Sequence, residues 1–185
     1  MTRRYGICCL ALLVGGSLAL ADKPRGGLEP GERTGPYSAT VSTGPNRGQS
    51  HCFICETDKR PAVIVFARKP TDPLGKLAQG IDRALTEYKK AELRAWITFL
   101  SDDQPGLDPQ VVKWGRKFGL GTLPLAVFED AQGPPAYRLS KDAEVTVFLC
   151  VKQKVVRNFT FREGELTDAR VTEILKSIPG VVAMK

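Results

Sequence analysis

From Arg60 onward the chain alternates between unbroken apolar runs and segments whose apolar residues recur at helical spacing. Pro61 to Ala67 is continuous, apolar and rich in β-branched residues, which predicts a strand buried on both faces. Asp72 and Pro73 then supply an N-cap and a first-turn residue. Behind them Leu74, Leu77, Ala78, Ile81, Leu85 and Tyr88 fall on one face of a predicted helix. Trp96 to Leu100 predicts a second strand. Asp108 and Pro109 repeat the capping device before a helix carrying Val111, Val112 and Phe118 and ending at Gly119. Leu123 to Phe128 reads as a third strand, with a turn at Asp130 to Gly133. Val145 to Val151 and Val155 to Phe161 flank Lys152-Gln-Lys154, the pattern of a hairpin. A last helix, capped by Thr167 or Asp168, turns Val171, Ile174, Leu175 and Ile178 inward and is expected to stop at Pro179-Gly180.

Strands joined through a helix to a parallel neighbour cross over right-handedly, whereas a hairpin loop joins antiparallel strands. The order therefore predicts an α/β domain over residues 50–185 whose mixed central sheet has about five strands, with helices on both faces. Residues 22–49 are rich in Gly, Pro, Ser, Thr and Arg and poor in large apolar side chains. They predict a linker, with Tyr37 to Ser42 as a candidate edge strand.

The N-terminus has a different pattern. Arg3 and Arg4 precede an apolar stretch from Ile7 to Leu20 that ends in Ala19-Leu20-Ala21, the layout of a secretory signal over residues 1–21. A membrane anchor needs about 20 apolar residues, and Gly15-Gly16-Ser17 interrupts this shorter run. The expectation is an exported chain, periplasmic or extracellular, with no stable membrane insertion after cleavage. Losing Arg3 and Arg4 from 27 basic residues leaves 25 against 20 acidic ones, a net +5. That charge is spread along the chain without the basic stripe and interleaved aromatics of a nucleic-acid site, so no nucleic-acid partner is expected.

Of five cysteines, Cys8 and Cys9 lie in the signal, leaving Cys52, Cys55 and Cys150. His51-Cys52-Phe53-Ile54-Cys55 places two thiols at a spacing that serves a redox dithiol, a structural disulfide or half a metal site. In an oxidising compartment such thiols pair. His51, if protonated, would favour a Cys52 thiolate, although neighbours in an extended chain point opposite ways. A zinc site would require Cys52, Cys55, Cys150 and the lone His51, with adjacent residues on one ion, so no metal is expected. Cys150, between Leu149 and Val151, reads as a buried filler. Asn158-Phe159-Thr160 matches a glycosylation acceptor but falls inside a predicted strand.

The strand-helix-strand start, the terminal hairpin-helix unit and the Cys-x-x-Cys pair together resemble the thioredoxin-like superfamily. Leu123-Pro-Leu-Ala-Val-Phe128 followed by Asp130-Ala-Gln-Gly133 looks closer to its peroxiredoxin branch, and Arg60 to Arg68 is similar to exported bacterial thioredoxin-like proteins. The resemblance implies a thiol-disulfide oxidoreductase acting on protein thiols or disulfides, with no cofactor beyond its own sulfurs. Cys52 would attack and Cys55 resolve, with His51 beside them. Two departures stand against this. The family keeps its reactive cysteine after the first core strand, at a helix N-terminus that lowers its pKa, where this chain has Lys69, Pro70, Thr71 and Asp72. The family's cis-proline position before the hairpin holds Asp142, Ala143 and Glu144, unless Leu123-Pro124 serves in its place. The alternative is a non-catalytic interaction module in which Cys52–Cys55 is a structural disulfide.

Overall fold

Residues 26–184 are described by a computed structural model; the signal expected at 1–21, with Cys8 and Cys9, lies outside them. The buried run Ala62–Ala67 (β3) is the middle of the sheet. It pairs in parallel with β4 (Arg94–Leu100) and antiparallel with β6 (Val145–Val151). Beyond β4 lie β5 (Leu125–Phe128), β1 (Ala39–Val41) and β2 (Ser50–His51), and beyond β6 lies β7 (Lys154–Phe161). The sheet therefore has seven strands in the order β2-β1-β5-β4-β3-β6-β7, against the five or so expected. The additional two are β1, which falls on the candidate edge strand Tyr37 to Ser42 within the expected linker, and β2, which directly follows it at Ser50–His51.

The alternation along β3 sorts the core into two layers. Val63, Val65 and Ala67 join one apolar cluster with the inward faces of α1 (Asp72–Glu87), α2 (Gln104–Lys117) and α3 (Asp168–Val182). Ala62, Ile64 and Phe66 face a second cluster to which no α-helix contributes a residue. The expectation of helices on both faces is thus corrected: all three lie on one. The reason is directional. The β3-α1-β4 and β4-α2-β5 crossovers step the same way along the sheet, so right-handed connections leave α1 and α2 on the same side. They pack closely there. A Cβ on Gly75 would meet the Phe118 ring at 2.2 Å, and one on Gly80 would meet Leu175 Cδ1 at 2.3 Å.

Residues 26–49 cover the other face, and the linker expectation fails for them. Leu28, Tyr37, Ala39 and Val41 are buried. Tyr37 shares its hydroxyl with Thr98 Oγ1 and accepts from Trp96 Nε1, each at 2.7 Å, beneath a layer of rings that includes Phe66, Tyr137 and Phe148. Burial drives the Tyr37 hydroxyl pKa far upward, so it remains a neutral donor and acceptor. The same segment fastens to the start of β7: Gly31 N donates to Val155 O, Val155 N to Glu32 O and Thr34 N to Gln153 O.

Local signals moved some boundaries. The α2 cap is Asp103, whose carboxylate accepts from Gly106 N at 3.0 Å, so the helix starts before Asp108 and carries Pro109 inside it. α3 runs through Pro179-Gly180 to Val182. Lys152 and Gln153 both have positive φ, 52° and 58°, forming a two-residue turn whose twist suits a hairpin, while Lys154 already belongs to β7. Asn158 Nδ2 donates to the carbonyls of Gly26 and Leu28, which commits the amide of the acceptor motif to holding the N-terminal segment.

Candidate functional site

The chain leaves β2 at His51 and makes a 3₁₀ turn at Ile54–Glu56 before returning to β3. In such a turn residues three apart stand over one another. Cys55 N donates to Cys52 O, the two Cα atoms are 5.4 Å apart, and the sulfurs are joined as a disulfide. Ile54 anchors the turn, being 2% exposed, and its carbonyl accepts from Thr57 Oγ1 and from Gln153 Nε2 of the hairpin turn. Arg60 Nη1 reaches Glu56 O from the other side. The two cysteines are not equivalent: Cys52 is half-buried and packs against the second apolar cluster, whereas Cys55 is exposed.

His51 and Cys52 have different surroundings: His51 lines a cavity that Cys52 does not. The His51 ring meets Phe53 edge-on at 4.5 Å, and Phe53 stacks on Trp96 at 5.6 Å. His51 Nε2 lies 3.4 Å from Glu56 Oε1. His51, Phe53 and Glu56 help to line a cavity of about 710 Å³, together with Leu93, Leu123 and Pro124. The cysteines do not line it. Phe53 and Glu56 are thus the immediate neighbours of His51 that the linear motif did not single out; their signal was the spacing of a short helical turn that brings residues 51, 53 and 56 to one side.

Cys150 is free and buried on β6, opposite Ala62 of β3. Loss of solvation pushes its thiol up to about 12, so it stays protonated at neutral pH and fits the filler role. Among the described residues no group of three or more His, Cys, Asp or Glu side chains gathers as a metal site, and no helix is long and apolar enough to cross a membrane.

Against solved structures, the chain superposes on a candidate thiol:disulfide interchange protein DsbE from Chlorobium tepidum with a TM-score of 0.64 at 15% identity, covering 84% of this chain and 99% of that one. The fold is thioredoxin-like. A candidate protein disulfide isomerase from Bacteroides thetaiotaomicron gives 0.59 at 18% identity over 83% and 93% of the two chains. Peroxidoxin BcpB from Mycobacterium tuberculosis gives 0.58 at 17% identity over 83% and 97%. No family model matches the sequence, and neither does any curated protein.

In the thioredoxin-like frame the disulfide stands at the wrong end of β3. The strand has six residues, so at roughly 3.3 Å per residue its two ends are about 20 Å apart. The disulfide is by the N-terminal end, while the expected cysteine position opens α1 at the C-terminal end. There Arg68 donates to the carbonyls of Ala131, Ser140 and Ala143, and Trp114 Nε1 donates to Thr71 O at 2.9 Å. Thr71 is the α1 N-cap, yet its hydroxyl makes no capping bond and is buried without a partner. Glu144 directly precedes β6 where the family's proline would stand; burial, and then the Glu163 carboxylate, hold its carboxyl above the usual range. No peptide bond among the described residues is cis.

Proposed function

We propose that this protein is an exported thiol-disulfide oxidoreductase that uses Cys52 and Cys55 on protein thiols. The observation that carries the reading is a disulfide closed within a single short turn with one of its two cysteines exposed. A ring of four residues gains only about 2 kcal/mol from restricting the unfolded chain, too little to account for the pair as a staple. An exposed, short-range disulfide is the kind that exchanges readily. Export is supported by Arg3, Arg4 and the apolar run ending at Ala21. N-terminal sequencing of the protein recovered outside the cytoplasm should start at Asp22.

A second reading is favoured by the other end of β3, where Arg68 donates to loop carbonyls and Thr71, in the family's reactive position, accepts from Trp114 of α2 through its carbonyl. On this reading the domain is a binding module and the disulfide fixes the turn. The reduction potential separates the two. A value above about −300 mV supports exchange, and one well below it marks a resistant structural bond. Insulin reduction gives the activity side: the Cys52→Ser, Cys55→Ser double variant should lose the rate of the native protein, and equal rates would remove the oxidoreductase.

A further inference from the structure

We infer that Cys55, not Cys52, is the sulfur through which this disulfide exchanges, so that the order of attack in the pair is reversed from the one its sequence position suggests. The assignment rests on the redox reading above and specifies its chemistry.

Disulfide exchange proceeds with the incoming thiolate in line with the bond it breaks, approaching the attacked sulfur from the side away from its partner. Access therefore decides which sulfur is attacked. Cys52 is half-buried, packs on the cluster that contains Leu28, Tyr37 and Ile54, and is followed by Phe53, whose ring is stacked on Trp96. That packing shields Cys52 from an incoming thiolate more than Cys55. Cys55 is exposed, as are Glu56, Asp58 and Lys59 after it. Of the two cysteines, Cys55 is the one that a large thiol substrate meets first. Since Cys55 is absent from the cavity lined by His51 and Phe53, recognition occurs on the solvent face of the turn, which suits a cysteine carried on an accessible stretch of polypeptide.

The electron count closes. A substrate thiolate bonds to Cys55 Sγ; the Cys52–Cys55 bond breaks and its electron pair leaves on Cys52. A second substrate thiolate attacks the substrate sulfur of the mixed disulfide, and that bond's electron pair passes to Cys55. The substrate dithiol is oxidised, the pair is reduced, and the two substrate protons pass to the new thiols through solvent. In the opposite direction the Cys55 thiolate attacks a substrate disulfide and Cys52 resolves the mixed intermediate.

The experiment is competitive alkylation of the full chain after reduction with dithiothreitol under native conditions. Limiting iodoacetamide is followed by peptide mass spectrometry. Cys55 should be labelled about tenfold faster than Cys52, as expected for two thiols of one motif that differ mainly in access. Single-cysteine variants give a second measurement: with 5,5′-dithiobis(2-nitrobenzoate), Cys52→Ser should react faster than Cys55→Ser by a similar factor. Equal labelling, or faster labelling of Cys52, overturns the reversed order while leaving exchange intact. A pair that dithiothreitol does not open in the folded protein overturns the exchange reading and this assignment with it.

Discussion

The two ends of β3 differ in what they do with polar groups. At the C-terminal end Arg68 spends its guanidinium on loop carbonyls, Trp114 fixes Thr71, and α1 begins without a cysteine. At the N-terminal end a short turn holds a disulfide with one exposed cysteine, supported by Ile54 and by bonds from Thr57, Gln153 and Arg60. The frame of the fold survives at both ends, while the disulfide stands only at one. A fold-level likeness therefore locates strands and helices, and the reactive atoms have to be found residue by residue.

The comparison can be broken most forcefully at Arg68. Arg68→Ala leaves three loop carbonyls without their donor and should cost about 3 kcal/mol in urea unfolding, given the worth of charged hydrogen bonds. The reduction potential of the Cys52–Cys55 pair should stay unchanged; a shift would mean that the two ends are coupled. Removing the pair by Cys52→Ser with Cys55→Ser is the reciprocal change, expected to lower stability by about 2 kcal/mol at most. A larger loss would make the bond a structural staple after all.

Cys150 sharpens the comparison through pH, because it lies beside Ala62 at the disulfide end. Its folded pKa is raised to about 12 from an ordinary 9.0, so the folded state holds the proton more tightly. That contribution is complete below the ordinary thiol pKa and is lost as pH rises toward 12. Between pH 8.5 and 10 the loss should amount to about 1 kcal/mol, and Cys150→Ala should flatten that part of the alkaline slope. The smallest effect belongs to the half-exposed pair of His51 and Glu56. Glu56→Gln should change stability by about 0.5 kcal/mol or less and leave Cys55 alkylation at its native rate.

Much of this architecture could be read before any coordinates. The continuous run at residues 62–67 announced a strand covered on both sides, and the Leu74 to Tyr88 spacing announced the helix beside it. What escaped notice follows from the same run. With the three α-helices on one face, Ile64, Phe66, Trp96 and Phe148 still had to be covered, and the Gly- and Pro-rich segment before residue 50 shares that task with Phe53, Ile54, Tyr137 and Leu139. Its apolar residues are too sparse to show a period; Tyr37 and Leu28 act singly, each filling a place prepared by the sheet. The pairing of Cys52 with Cys55 was legible from spacing. Their unequal exposure was not, since it depends on Cys52 resting against strands far along the chain.

The margins of the sheet carry a last consequence. On one side β2 is two residues long, and on the other the first residues of β7 are already occupied by Gly31, Glu32 and Thr34. The β2 rim offers a foreign strand no long row of free amides and carbonyls to zip onto, and the start of the β7 rim is covered, which works against runaway stacking of one copy on the next in a crowded solution.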